Sequence, residues 1–155
     1  MGFLRPEDFC VTSITPRTSN QPGGATVPAQ TPEQICELFQ QYMAAGDVES
    51  LLGIYDSEVT FLNQSRQPRR GRDQLRQELA PLAAAKTRFD FSIKQVIQSG
   101  DIALMHTEWT VFAPQPMHSY AIEVARRQPD GSWRWLIGDP FTVGLYMDFR
   151  ETRAA

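Results

Sequence analysis

The chain has 155 residues, of which 41% are hydrophobic and 21% are charged, and its formal net charge at pH 7 is −3. The length predicts a single domain, and the slightly acidic balance argues against nucleic acid or an anionic membrane as the main partner. No apolar run is long enough to cross a bilayer, and acidic residues lie where a signal peptide would have its apolar core, so we expect a cytoplasmic protein. The two cysteines and two histidines lack the spacing of a metal site, and no glycine-rich phosphate loop follows a strand, so neither a metal nor another cofactor is expected.

Residues 1–30 are expected to form an extended arm. Residues 9–32 carry a single charge, Arg17, and they contain several prolines and the pair Gly23-Gly24. The apolar residues of this stretch recur neither every two positions, as in a strand, nor every 3.6 positions, as in a helix. Such a stretch is typical of a linker or a disordered tail. The alternative is an ordered arm that lies across a partner subunit, anchored by Phe3, Leu4, Phe9, Val11 and Ile14. The single domain is expected to occupy residues 31–155.

Three helices are predicted after the arm. The segment Thr31-Pro32-Glu33-Gln34 combines a capping hydroxyl, a proline at the first helical position and a glutamine three residues on, so the first helix should begin at Thr31. Gly46 ends this helix, and Asp47 caps a second, short one. The third should start near Gly71, and Pro81 should shorten it or mark its end. The apolar face of the first helix comprises Ile35, Leu38, Phe39, Tyr42 and Met43.

A short strand, Val59–Leu62, is expected between the second and third helices. From Phe89 onward the apolar period changes to two, which predicts strands with one buried face. Helices followed by a meander of strands indicate an α+β fold, in which the three N-terminal helices pack on one face of a curved, mostly antiparallel sheet. After the strand that starts at Phe89, further strands are expected over residues 102–112, 118–127 and 133–137.

The loops between the strands predict which polar side chains share a face of the sheet. A short, even-length loop at Ser99-Gly100 would place His106 and Glu108 on the same side as Phe89 and Phe91. His106 and Glu108 could then serve as a base and its orienting partner, or as two proton-transfer groups. The alternative is a structural hydrogen-bonded pair or a solvated edge.

The turn Pro129-Asp130-Gly131 decides the face of a second group of residues. A type I turn with a glycine bulge would place Glu123 on the same face as Trp135, Ile137 and Asp139. A two-residue loop would instead place these three residues on the opposite face from Glu123. Because a carboxylate in an apolar strand is costly unless it is paired or protonated, Glu123 is either a functional acid or one half of a buried ion pair with an arginine. Asp139 could instead cap the turn that follows it. If both groups of residues lie on the face of the sheet that is covered by the helices, they would line an apolar pocket for a small molecule.

A series of short motifs is distinctive in its order and spacing: Thr31-Pro32-Glu33, Tyr42, Ala45-Gly46-Asp47, Tyr55-Asp56-Ser57-Glu58-Val59-Thr60-Phe61, Gly71-Arg72-Asp73-Gln74-Leu75-Arg76 and Asp139-Pro140-Phe141. Over about residues 31–143 the chain resembles the nuclear transport factor 2-like (NTF2-like) superfamily, which includes ketosteroid isomerases and SnoaL-type polyketide cyclases, and within it a small bacterial subgroup. The resemblance implies a cone-shaped α+β roll, similar to cystatin, with a deep apolar pocket. It also implies a homodimer that forms through the outer face of the sheet.

The resemblance also suggests roles for single residues. Tyr42 resembles the isomerase tyrosine that donates a hydrogen bond to the substrate oxygen, and Glu123 falls near the acid that shares this task in its protonated form. Asn63 stands where the isomerase has its aspartate base. Since an amide cannot abstract a proton, a standard ketosteroid isomerase is not expected, although His106 or Glu108 could supply a base from another wall.

Two functional hypotheses follow from the sequence. The first is a cofactor-independent enzyme of the isomerase, cyclase or hydrolase type, which acts by proton transfer on an apolar small molecule. The second is a non-catalytic module for ligand binding or dimerisation that uses the same pocket or sheet. The candidate pocket residues are Tyr42, Asn63, His106, Glu108, Glu123, Trp135 and Asp139.

Overall fold

A computed structural model of the protein describes residues 26–142, which form three helices and six strands. The helices are α1 (Pro32–Ala45), α2 (Val48–Gly53) and α3 (Arg72–Ala84). The strands are β1 (Tyr55–Leu62), β2 (Pro68–Arg70), β3 (Arg88–Ser99), β4 (Ile102–Ala113), β5 (Gln115–Arg127) and β6 (Trp133–Asp139). None of these three helices is both long and apolar enough to cross a bilayer.

The predicted start and end of α1 and the predicted start of α2 are confirmed. The Thr31 side chain accepts a hydrogen bond from the backbone N–H of Gln34 at 3.4 Å, which caps the start of α1. Gly46 ends α1 in the left-handed conformation, with φ of 75°, where a larger residue would be strained. The Asp47 side chain then accepts a hydrogen bond from the Ser50 N–H at 3.0 Å and so begins α2. These contacts are local, which is why the sequence pattern predicts them.

The region from β1 to α3 differs from the prediction in two ways. β1 starts at Tyr55, four residues earlier than expected, and pairs with the short strand β2, which the sequence pattern does not indicate. α3 continues one turn past Pro81, where its end was expected. The Ala85 N–H donates to the Pro81 carbonyl at 3.1 Å, and this extra turn buries Ala83 in the core. Burial of this turn offsets the helical hydrogen bond that the proline removes.

All six strands belong to one curved sheet with the order β2-β1-β6-β5-β4-β3. β1 and β6 are parallel, and the other neighbouring strands are antiparallel. The helices cover the concave face of the sheet, where the largest cluster of buried side chains combines residues of α1 and α2 with residues of β4, β5 and β6. This architecture confirms the predicted α+β fold with a curved, mostly antiparallel sheet.

A β-bulge at Lys94 changes the register between β3 and β4. Between the bulge and the turn at Gly100, the strands pair as expected from an even-length loop, and Ile97 pairs with Leu104. On the other side of the bulge, each residue of β3 pairs one position away from the expected partner, so that Phe91 pairs with Trp109. Directly paired residues share a face of the sheet and neighbours alternate. His106 and Glu108 therefore lie on the convex face, opposite to Phe91. The prediction that His106 and Glu108 share a face with Phe89 and Phe91 was wrong, because one inserted residue inverts the alternation of faces in the strand beyond it.

β6 contains a second bulge, at Leu136. Before this bulge, Trp135 lies on the concave face together with Glu123, and this part of the predicted grouping is confirmed. Beyond it, Ile137 and Asp139 pair with residues of the convex face. Their predicted place beside Glu123 was therefore wrong, for the same physical reason as at the first bulge.

Residues 26–30, which the sequence analysis assigned to the arm, pack on the domain. Ala29 is buried in the main core and pairs with Trp133 at the start of β6, and the Trp133 N–H donates to the Ala29 carbonyl at 2.8 Å. Residues 1–25 and 143–155 lie outside the described part of the chain. The remaining predictions for the arm fall on residues 1–25.

Candidate functional site

A cavity of about 480 Å³ lies between the helices and the concave face of the sheet. Its wall is mainly apolar, with a small number of polar side chains among aromatic rings. Both the size and the composition are typical of sites that bind small molecules. The aromatic residues that line the cavity are Phe39, Tyr55, Phe61, Phe89, Phe91, Trp109, Trp135 and Phe141.

Contacts between rings hold the aromatic wall together. The Phe39 ring of α1 meets Phe89 and Phe91 edge to face, with centroid distances of 5.2 Å and 5.4 Å. On the other side, Trp135 lies 5.8 Å from Phe39 and 5.3 Å from Tyr55 between ring centroids. Such geometries are favourable for aromatic pairs and restrict the rings, so the wall is largely preformed.

Glu123 is the buried acid of this cavity. It lies on the concave face of β5, is 8% exposed, and its Oε2 atom has no hydrogen-bond partner among the described residues. No ion pair of Glu123 occurs within residues 26–142, so an arginine partner is not found there. Burial raises the pKa of this carboxyl group to about 8, since the charged form would lose its hydration without a compensating partner.

Trp135 and Tyr55 lie near Glu123 on the same wall. Trp135 is 2% exposed, and its indole Nε1 is a buried donor without a hydrogen-bond partner in the described residues. Burial raises the pKa of the Tyr55 hydroxyl well above its ordinary value, and the nearby charge of Glu123 adds to this effect. The pKa of the Cys36 thiol on α1 is raised by the same two causes in the same order. The groups around Glu123 therefore stay uncharged near neutral pH.

Asn63 also lines the cavity, but its side chain already has a structural contact. Its Oδ1 accepts a hydrogen bond from the Gln67 N–H at 2.9 Å, and its carbonyl accepts one from the Arg66 N–H at 2.8 Å. These contacts form the turn between β1 and β2. Asn63 thus shapes one edge of the cavity, at the position where the resemblance placed an aspartate base.

His106 and Glu108 do not line the cavity. On the convex face, Glu108 bonds to Lys94 and accepts a hydrogen bond from His118 Nε2 at 2.8 Å. The hydrogen bond from Lys94 is the main cause that lowers the pKa of Glu108. The opposite ring nitrogen of His118 lies 3.2 Å from the Thr110 hydroxyl. Glu108 thus belongs to a polar cluster that is separated from the cavity by the sheet.

Tyr42 and Asp139 also lie outside the cavity wall. The Tyr42 hydroxyl accepts a hydrogen bond from the Val27 N–H at 3.1 Å and so fastens residues 26–30 to α1. Asp139 forms an ion pair with Arg66 at 3.2 Å, and Arg66 also donates to the Phe141 carbonyl at 2.9 Å. Because Phe141 borders the cavity, this pair supports its rim.

Tyr55 and Gly138 are among the cavity residues that the sequence prediction missed. Tyr55 was missed because Ser57 and Glu58 interrupt the alternation of apolar residues, so that the strand was predicted to begin only at Val59. Gly138 pairs with Glu123 across the strands and leaves the space in front of that carboxyl group free of a side chain. A glycine before an Asp-Pro turn is the local signal that could have drawn attention to this position.

Metal-ligating side chains do not converge anywhere in the described part of the chain. Within residues 26–142, no group of three or more His, Cys, Asp or Glu side chains could hold a metal ion. The polar side chains that the fold brings to the cavity wall are those of Tyr55, Asn63, Gln64, Glu78, Glu123 and Trp135. The chemistry available to them is hydrogen bonding and proton transfer.

Comparison with known sequences gave one family. The sequence model of the SnoaL-like domain family matches residues 33–135, which include every strand of the sheet up to the start of β6. No curated protein is similar enough in sequence to match the chain.

Comparison with solved structures gave many similar folds. A candidate association domain of calcium/calmodulin-dependent protein kinase type II from Thiobacillus denitrificans has a TM-score of 0.61 at 18% identity, covering 74% of this chain and 98% of that chain. A candidate dehydratase of the NTF2-like family from Streptomyces avermitilis has a TM-score of 0.52 at 20% identity, covering 71% and 98%. A candidate ketosteroid isomerase from Parabacteroides distasonis has a TM-score of 0.54 at 23% identity, covering 70% and 84%. At these identities, the likeness establishes the fold alone.

Proposed function

The chain belongs to the SnoaL-like domain family of the NTF2-like superfamily, and from this premise we propose that it binds an apolar small molecule in its cavity and acts on it by proton transfer through Glu123. The reaction is of the isomerase, cyclase or hydrolase type. It needs no cofactor, because the Glu123 carboxyl group supplies the proton.

One observation carries this proposal: Glu123 is a buried, unpaired acid in an aromatic cavity, with a pKa of about 8. A general acid is most effective when its pKa lies near the working pH, because it then holds its proton yet still releases it readily. Near neutral pH, the Glu123 carboxyl group is protonated in most molecules. It can therefore donate a proton to an oxygen atom of the ligand and recover it from water afterwards.

The neighbouring structures are compatible with this role. A candidate dehydratase and a candidate ketosteroid isomerase share the fold, and both names describe reactions in which protons move. The fold itself is only a prior on chemistry. The proposal for this chain therefore depends on the environment of Glu123 and must be tested there.

The test is deuterium exchange into a small bicyclic ketone, 1-tetralone. If Glu123 protonates the ketone oxygen, a water molecule can remove a proton from the carbon next to the carbonyl group, and the resulting enol returns with deuterium from D2O. Proton NMR follows the loss of that signal. We expect wild-type protein to accelerate the exchange and the Glu123→Gln variant to lower the protein-dependent rate at least about 100-fold, since general acid–base catalysis contributes about 10²–10⁴-fold.

His106→Gln is the matched control, because His106 lies on the opposite face of the sheet. This variant should exchange deuterium at the wild-type rate. Unchanged exchange in Glu123→Gln would contradict the proposed role of the acid. Saturable binding of 1-tetralone without any protein-dependent exchange would favour the second hypothesis, a non-catalytic ligand-binding module.

We also propose that the protein pairs with a second copy through the convex face of the sheet. A row of apolar side chains crosses four neighbouring strands there, each paired directly with the next: Ile97, Leu104, Val124 and Ile137. Ile97 is 50% exposed and Ile137 is 49% exposed. Contiguous apolar surface of this kind is typical of protein interfaces, and the same patch on two copies can form a symmetric contact.

A further inference from the structure

The first half of β5 has only one neighbouring strand in the described part of the chain. β4 pairs with residues 115–126 of β5, whereas β6 pairs only with residues 122–127. On the side of β6, residues 115–119 therefore have no strand partner within residues 26–142. We call this stretch the open edge of β5. The unpaired backbone groups of such an edge are a template on which another strand can add.

The described part of the chain ends at this edge. After β6, the N–H of Thr142 donates a hydrogen bond to the Tyr120 carbonyl at 3.0 Å, and the Thr142 hydroxyl donates to the same carbonyl at 2.6 Å. The preceding Pro140 is also held, because its carbonyl accepts hydrogen bonds from Nε1 of Trp109 at 2.9 Å and from the Ser119 hydroxyl at 3.2 Å. Thr142 thus extends the antiparallel contact of β6 toward the start of β5.

The hydrogen bond of Thr142 shows which backbone groups face the open edge. In an antiparallel strand, the N–H and the carbonyl of one residue point to the same side, and so do those of the residue two positions away. Because the Tyr120 carbonyl faces Thr142, the N–H and carbonyl of His118 and the carbonyl of Pro116 face the open edge as well. Pro116 has no N–H to donate, so the edge can pair fully with a short strand only.

The sequence after Thr142 has the pattern of such a strand. Apolar residues alternate there with glycine, tyrosine and charged residues: Val143, Leu145, Met147 and Phe149 against Gly144, Tyr146, Asp148 and Arg150. A period of two is typical of a strand with one buried face. These residues also lie beyond the match of the family model, which ends at residue 135. The pattern is therefore a property of this chain rather than of the family domain.

The contact at Thr142 sets the register of a strand on this edge. With Thr142 opposite Tyr120, Val143 falls opposite Ser119 and Leu145 falls opposite Met117. Met117 lines the cavity and is 41% exposed, so the cavity wall reaches the solvent at this residue. We propose that residues 143–147 add a strand to the open edge of β5, which places Leu145 beside Met117 and completes the cavity wall there.

The same chain is the expected occupant of the edge. Thr142 is already bonded to β5, so the residues that follow it are close to the open edge at a high effective concentration, which the same segment of a second copy lacks. The apolar side chains of the added strand then cover Met117, and its backbone pairs with His118. This assignment concerns the wall of the cavity and does not depend on proton transfer by Glu123.

Paired cysteines test the register. In a chain with Cys10→Ser and Cys36→Ala, the double variant Met117→Cys/Leu145→Cys should form a disulfide within one chain under oxidised glutathione. Directly opposed residues have Cα atoms about 4.5–5.5 Å apart, which fits a disulfide. The matched control is Met117→Cys/Tyr146→Cys, which should stay reduced because residue 146 falls on the opposite face. Mass spectrometry of tryptic peptides identifies the bond.

Amide exchange in D2O, followed by NMR, is a second measurement that needs no cysteine variant. The N–H of His118 faces the open edge, whereas the N–H of Met117 faces β4. In Gly144→Pro, the added strand loses the N–H that would bond to the His118 carbonyl. We expect the His118 amide to exchange at least about tenfold faster than in wild type, while the exchange of Met117 stays the same.

Several results would overturn the proposal. A disulfide in both double variants, or in neither, would exclude this register. A disulfide between two chains would show that the segment of a second copy occupies the edge. Equal exchange of the His118 amide in wild type and in Gly144→Pro would mean that no strand adds there, and this comparison decides the result if a cysteine variant fails to fold. Since all these variants keep Glu123, the test of the proposed function stands apart from them.

Discussion

Two glutamates on neighbouring strands show how far the two faces of this sheet differ. Glu123 of β5 lies on the concave face without a partner, and burial raises its pKa to about 8. Glu108 of β4 lies on the convex face, bonded to Lys94 and His118, and the hydrogen bond from Lys94 lowers its pKa. The same residue type is thus shifted in opposite directions within one sheet.

The difference shows that partners and water, rather than the residue type, decide what a carboxyl group can do. On the convex face, the polar groups satisfy one another and remain in contact with water, so Glu108 stays ionised. On the concave face, the helices exclude water, and the fold leaves Glu123 and Trp135 unsatisfied. The polar groups around Glu108 on the convex face therefore already have hydrogen-bond partners. The concave face instead holds polar atoms for which a ligand can supply the hydrogen bond.

The largest expected contrast between the faces is in packing. Trp135→Ala removes a fully buried ring from the concave face and should lower the free energy of unfolding by about 3–5 kcal/mol. Ile102→Ala, on the convex face but outside the apolar row, is the control and should cost less than about 1 kcal/mol, because Ile102 is 40% exposed. Urea denaturation measures both values. Equal losses would mean that the concave face is not the main source of stability.

The second contrast is the dependence of stability on pH. The unfolded chain ionises Glu123 near its ordinary pKa of 4.5, and the folded chain near 8, so between these values the folded state holds a proton that the unfolded state has lost. Stability from this group should therefore fall as the pH rises through this window, by at most about 1.4 kcal/mol per pH unit. In Glu123→Gln this fall should disappear. Denaturation of both proteins at pH 5 and pH 8 gives the difference, and parallel pH curves would show that Glu123 is not buried in its neutral form.

The third contrast concerns association. Ile137→Lys places a charge in the apolar row of the convex face and should convert the proposed homodimer to monomer at micromolar concentration. Val27→Lys is the control, since Val27 is 62% exposed and lies outside the strands. Sedimentation velocity measures the mass of each species. Wild-type protein that sediments as a monomer would remove the convex face from consideration as a dimer interface.

The smallest expected contrast is the contribution of Glu108 to the stability of the protein at acidic pH. Because its folded pKa is lowered, its contribution to stability is present above the ordinary glutamate pKa and is lost as the pH falls through the folded value. This is the opposite direction from Glu123. Glu108→Gln should reduce the loss of stability on acidification slightly, since the pair is exposed to solvent. Thermal melting between pH 6 and pH 3 measures it, and a larger effect than that of Glu123→Gln would reverse the ranking of the two faces.

Much of the fold could be predicted from the sequence because the signals are local. The capping hydroxyl of Thr31, the left-handed Gly46 and the side chain of Asp47 each act within four residues of where they stand. The change of apolar period at Phe89 likewise indicates strands without knowledge of their partners. Of the candidate site, Glu123 and Trp135 were predicted on one face, and Asn63 also lines the cavity.

The candidate residues that were placed on the wrong face of the sheet owe this to two inserted residues. His106 and Glu108 were placed with Phe91 by counting along regular strands, and the bulge at Lys94 makes that count wrong by one. The bulge at Leu136 does the same to Asp139. A bulge depends on how two strands fit together along their whole length, and the residues at these positions carry no mark of it in the local pattern.

The sequence by itself determined both ends of α1, the start of α2, the α+β class and the family resemblance, because caps, turns and periods are encoded within short segments. Only the tertiary structure decided which polar side chains share the cavity. In a sheet, a shift of one residue moves every following side chain to the other face. The two bulges therefore sent His106, Glu108 and Asp139 to the convex side, and left Glu123 and Trp135 together on the concave side.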